Sequence, residues 1–133
     1  PRGKPRPAPH PPPLSFPLSH PQAGALLAVS TNHNVGIDVA ILRKIPDTPG
    51  IARRICSTSE LNRLQESGWK LDTFYQLWTA HEARQKCQGR GVFGVPVEND
   101  SVCSLVFQPA PGQCAAIAWP AGNPVPRLGF YKL

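Results

Sequence analysis

Proline is crowded into one end of this chain, and the crowding decides where a core can form. Seventeen of the 133 residues are Pro, and nine of those lie within the first 21. Average usage would give a chain of this length roughly seven. Proline has no backbone N–H to donate and holds φ near one value. The opening stretch PRGKPRPAPHPPP, residues 1–13, therefore reads as extended, polyproline-like chain without a core of its own. A folded unit must be built from the residues after Pro13. These are enough for one ordinary domain, and 41% apolar residues allow a modest core. The chain contains no Met, so Pro1 reads as a processed end or a cut.

Charge narrows the partners. Fourteen Lys and Arg stand against eight Asp and Glu, a net charge of +6. A phosphorylated ligand, an acidic protein or a nucleic acid would each suit that balance. A nucleic-acid module interleaves basic and aromatic residues on one surface. The aromatics here fall at core spacing, which speaks against one. No window approaches the roughly 20 apolar residues of a membrane span, and no signal peptide opens the chain. Cys56, Cys87, Cys103 and Cys114 form no Cys-x-x-Cys pair. They read as reduced thiols in a cytoplasmic protein.

Apolar patterning sets the order of elements. Leu14, Phe16 and Leu18 alternate with Ser15, Pro17 and Ser19, an edge-strand pattern. Ala23 to Ser30 reads as a buried strand or a buried helical turn. Thr31 to Asn34 is turn material. Val35 to Leu42 reads as a central strand with one carboxylate, Asp38, inside it. Ser57-Thr58-Ser59-Glu60 is a capping box opening a helix that runs to Gly68. Thr73-Phe74-Tyr75-Gln76 reads as a second box. Its helix carries Phe74, Leu77, Trp78 and Ala80 as an apolar stripe and stops near Gln88, before Gly89. Val102 to Phe107 and Gln113 to Trp119 are strands around a Pro109–Gly112 turn. Arg127 to Leu133 could add an edge strand. The expected class is α+β, an antiparallel sheet packed with two main helices.

Several residues could carry chemistry. A carboxylate within Val-Gly-Ile-Asp-Val is costly to bury without a cation or donors. Asp38 is therefore a strand-end cap, or else a metal ligand or general base. Trp78, Glu82 and Lys86 share one helix face at a spacing of four. Glu82 and Lys86 form either a solvated surface pair or a site where Glu82 holds a cation and Lys86 faces a phosphate. Oxygen ligands from one or two carboxylates plus substrate phosphates suit Mg²⁺. Ser19-His20 could hold a phosphate through a hydroxyl and an imidazolium, or be an ordinary surface pair. Gly3-Lys4-Pro5, between Arg2 and Arg6, is a further phosphate contact or a solvated arm. Arg53, Arg54 and Arg63 are a solvated face or a dock for an acidic partner.

In combination these blocks resemble the 4′-phosphopantetheinyl transferases, specifically the surfactin-synthetase-activating, pseudo-dimeric type. The blocks are Gly3-Lys4-Pro5, Phe16-Pro17-Leu18-Ser19-His20, Gly36-Ile37-Asp38-Val39-Ala40 and Trp78-Thr79-Ala80-His81-Glu82-Ala83-Arg84-Gln85-Lys86, then Gly89-Arg90-Gly91. Their order, with Ser-His before Gly-Ile-Asp, separates that type from the small trimeric synthases. The resemblance implies one half of a pseudo-dimer. Residues 1–21 would be the crossover and edge strand ending the first half, and residues 22–133 the C-terminal domain.

It also implies a reaction. Phosphopantetheine would pass from coenzyme A to a serine of an acyl or peptidyl carrier protein, in fatty-acid, polyketide or nonribosomal peptide synthesis. Asp38 and Glu82 would hold Mg²⁺, while Glu82, Lys86 and His81 would serve catalysis. Gly3, Lys4, Pro5, Ser19, His20 and Lys86 would bind the cofactor. Ala40 stands where the family carries a second strand carboxylate, His81 where it carries a helix Lys, and Pro17 where it carries a strand Asn. Pro21-Gln22 stands in place of a small polar pair. Those departures leave an alternative, a degenerate half that binds coenzyme A or a carrier protein without turnover. Self-association, or pairing with a missing N-terminal half, would rebuild the cleft.

Overall fold

The computed structural model describes residues 33–89 and 101–129, together with the backbone of two short strands. These are β1 (Leu18–Ser19) and β2 (Leu26–Leu27), antiparallel, with Leu18 opposite Leu27. They lie close to β3 (Gly36–Ile41). Then come α1 (Thr48–Ile55), α2 (Thr58–Glu66), α3 (Leu71–Gln88), β4 (Val102–Phe107) and β5 (Gln113–Pro120). The class is α+β. An antiparallel three-stranded sheet in the order β3-β5-β4 carries α3 across one face.

The run Cys114–Trp119 is buried along its whole length, as a strand covered on both faces should be. It is the middle strand. Val35 to Leu42 was expected to be central, but β3 lies beside β5 at one side of this sheet. The β4–β5 turn is where it was expected. Gln113 N donates to Ala110 O at 3.1 Å, and Gly112 O accepts from Leu42 N at 2.8 Å.

Three helices replace the two expected. In α1, Asp47 accepts from Gly50 N at 3.2 Å, and Pro49 needs no intrahelical donor in the first turn. At α2 the expected capping box is present in full. Ser57 Oγ accepts from Glu60 N, and Glu60 Oε1 accepts from Ser57 N at 2.9 Å. At α3 the expected box at Thr73 is not the start. The helix begins at Leu71 after Lys70, which makes no side-chain cap bond, and Asp72 supplies the acidic residue of the first turn. Its end falls at Gly89, which takes the left-handed conformation (φ 73°) that favours glycine. No strand runs through residues 127–129; the rest of the tail strand expected there lies outside the described residues.

Two kinds of packing hold α3. Its N-terminal half is apolar. Phe74 and Leu77 are buried with Ala52 and Ile55 of α1 and Leu64 of α2, and the Phe74 ring stacks on Trp78 at 6.3 Å between centroids. Its C-terminal half meets the sheet through small residues, Ala80, Ala83 and Cys87 against Ala116 and Ala118. Gly36 completes that surface. A Cβ there would fall 1.9 Å from the Ala83 carbonyl oxygen. Only glycine permits this approach of strand to helix, and it brings the next inward-facing residue, Asp38, against α3.

Candidate active site

Asp38, Glu82 and Lys86 converge between β3 and α3. Lys86 Nζ lies 3.0 Å from Asp38 Oδ1 and donates to the Ile37 carbonyl oxygen at 3.2 Å. Lys86 reaches across to the strand, so the solvated Glu82–Lys86 surface pair allowed by the spacing is not what forms. Glu82 is 5% exposed and Asp38 9%. Nor is Asp38 a strand-end cap: its carboxylate meets the ammonium of a residue 48 positions away.

Burial and mutual repulsion shape the charges. Burial pushes the Asp38 carboxyl above its ordinary range, and Lys86 partly offsets the rise. Glu82 is pushed up to about 7, first by burial, then by the negative charge of Asp38, with Lys86 opposing. Two buried carboxyls in range of each other, with one ammonium between them, are a setting a divalent cation would relieve. All the donors are hard oxygens, which suits Mg²⁺. No group of three or more His, Cys, Asp or Glu capable of holding a metal forms among the described residues. A cation held by Asp38 and Glu82 would thus keep most of its coordination positions for water and phosphate oxygens, an arrangement Mg²⁺ favours over a cage of protein ligands.

The surrounding residues are polar but tied down. Ala40 shares the inward face of β3 with Asp38 and stands opposite Cys114 on β5. Thr79 Oγ1 lies 3.4 Å from Cys114 Sγ and donates to Tyr75 O at 2.8 Å. His81 is buried, 5% exposed, about 100° round the helix from Glu82. On the other flank Arg84 donates to Ser104 Oγ at 3.2 Å and lies 3.9 Å from Glu60 Oε2, linking α3 to β4 and to the capping box of α2. The sequence reading missed Arg84; only the interleaving of helix and sheet reveals it. It also missed Gly36 as the residue that sets the approach, although a glycine inside an apolar strand was a visible signal. Ser19 is placed by backbone alone, opposite Leu26. Gly3, Lys4, Pro5, His20, Arg90 and Gly91 lie outside the described residues. The cysteines, all four within the described residues, are unbridged.

This arrangement lies inside a recognisable family segment. Residues 34–118 match the family model of the 4′-phosphopantetheinyl transferase superfamily, which spans β3 through most of β5. The chain belongs to that superfamily. It is also similar to a Synechocystis sp. protein that bears the name "Putative 4′-phosphopantetheinyl transferase", with 35% identity over 81 residues. The alignment covers 56% of this chain and 33% of the relative, so the chain spans about a third of the length of that protein. No helix among the described residues is long and apolar enough to cross a membrane.

Proposed function

We propose that this chain is the C-terminal half of a pseudo-dimeric 4′-phosphopantetheinyl transferase. It would move phosphopantetheine from coenzyme A to a serine of an acyl or peptidyl carrier protein. The observation that carries this is the convergence of Asp38, Glu82 and Lys86 in the family-matched segment. Residues 1–21 would form the crossover from the first half and residues 22–133 the domain itself. The setting would be cytoplasmic, and the carrier would belong to fatty-acid, polyketide or nonribosomal peptide synthesis.

Mg²⁺ held by Asp38 and Glu82 would supply positive charge to the pyrophosphate of coenzyme A. The chain's own residues do the rest. The serine oxygen of the carrier forms a bond to the β-phosphorus, and the bond to the 3′,5′-ADP oxygen breaks. Lys86 reaches the site on a flexible stem and neutralises the departing phosphate. His81 or Glu82 would receive the serine proton. Little covalent work falls to the protein, since positioning and neutralisation dominate phosphoryl transfer. Ser19 and His20 would contact the 3′-phosphate, with Gly3, Lys4 and Pro5 at the nucleotide. A second reading, binding of coenzyme A or a carrier without turnover, draws on Ala40, which stands on the strand face of Asp38 without a carboxylate. Self-association, or pairing with an N-terminal half, would complete the cofactor cleft.

The test incubates the protein with an apo carrier protein, coenzyme A and Mg²⁺ and weighs the carrier. A gain of one phosphopantetheine is expected. No gain with retained coenzyme A binding would favour the second reading, and neither gain nor binding would sink both.

A further inference from the structure

Lys86 stands where a cation is wanted. Its ammonium meets Asp38 Oδ1 at 3.0 Å and the Ile37 carbonyl at 3.2 Å, beside a second buried carboxylate, Glu82. An ion with an oxygen ligand to gain from Asp38 must contend with a charge already there. We propose that Lys86 is a latch, occupying the edge of Asp38 that a divalent cation takes and leaving it as that cation binds. The inference rests on the reading of Asp38 and Glu82 as metal ligands and adds a regulation of that site.

Three features support it. Two cations sharing one carboxylate repel strongly where water is scarce. The lysine stem has four rotatable carbons, and the Lys86 side chain is 20% exposed, so it stands at the rim of the site with room to swing. And without such a partner two buried carboxylates would face each other uncompensated, which folded chains avoid. The latch thus keeps the site assembled before the cation arrives. It also makes a cation alone bind weakly, because Lys86 gives up Asp38 without a replacement. An anionic pyrophosphate offers that replacement, so cation and phosphate strengthen each other's binding, reciprocally.

Mn²⁺ alone, without nucleotide, is the probe, and calorimetry the readout. Lys86→Met keeps the length of the side chain and removes its charge. The variant is expected to bind Mn²⁺ about tenfold more tightly than the wild type, a modest allosteric-scale coupling, and Asp38→Asn added to it should abolish the gain. Equal or weaker Mn²⁺ binding by Lys86→Met overturns the latch while leaving the ligand assignment standing. Absence of Mn²⁺ binding by both chains sinks the assignment and the latch together. A second measurement needs no variant. Acetic anhydride should acylate Lys86 of the wild type several-fold faster with saturating Mn²⁺ than with EDTA, read by peptide mass. An unchanged rate overturns the proposal.

Discussion

Glu82→Gln should make this protein more stable and less useful. Glu82 is buried at 5% exposure, and its carboxyl is pushed from 4.5 up to about 7. Between those values the folded chain keeps a proton that the unfolded chain has already lost. Stability therefore falls as pH rises through the window, and the loss is complete above pH 7. That rise corresponds to roughly 3 kcal/mol. Most of it, about 2 to 3 kcal/mol, disappears between pH 5 and pH 8. Asp38 is raised as well, chiefly by burial, and contributes in the same direction. Gln has nearly the shape of Glu and no charge to desolvate. In EDTA, urea unfolding of both chains at half-unit steps from pH 5 to 8 reads the Glu82 contribution together with its coupling to Asp38. The variant should gain on the wild type as pH rises, by about 2 to 3 kcal/mol at pH 8. Added Mg²⁺ should stabilise the wild type more than the variant. Parallel curves, or a variant that loses ground at pH 8, would refute the reasoning.

Other outcomes come from the packing. Gly36→Ala places a Cβ 1.9 Å from the Ala83 carbonyl, and backbone cannot retreat cheaply. It should cost about 2 to 4 kcal/mol in urea unfolding, and an unchanged midpoint would contradict the close approach. Phe74→Ala empties a site that is 1% exposed and should cost about 3 to 5 kcal/mol; a loss below about 1 kcal/mol would show that α1 and α2 do not seal it. Ser57→Ala removes the Oγ that caps Glu60 N and should cost about 1 kcal/mol, with hydrogen exchange rising first in the opening turn of α2.

The legible parts were those where one local signal sufficed. The capping box of α2, the apolar strands flanking the Pro109–Gly112 turn, and Gly89 after α3 are local features, and each is where it was expected. Helix α1 was not, because Asp47-Thr48-Pro49-Gly50 has the composition of a turn and the helix is only eight residues long. The start of α3 was misplaced by three residues because no side chain caps it. Tertiary packing around Leu71 and Phe74, not a cap, decides where that helix begins. The same division runs through the site. Asp38 stood out as a carboxylate in an apolar strand. Glu82 and Lys86 had the spacing of a surface pair, and only the contact of Lys86 with a strand 48 residues away distinguishes them from one. Spacing along a helix says which residues share a face; it does not say what that face meets.

On the proposed function, Asp38 and Glu82 form one catalytic centre for phosphopantetheine transfer. The most direct measurement is the mass of an apo carrier protein after incubation with coenzyme A, Mg²⁺ and either the wild type, Asp38→Ala or Glu82→Ala. The carrier should be heavier by one phosphopantetheine with the wild type and unmodified with each variant. Full transfer by either variant would contradict it.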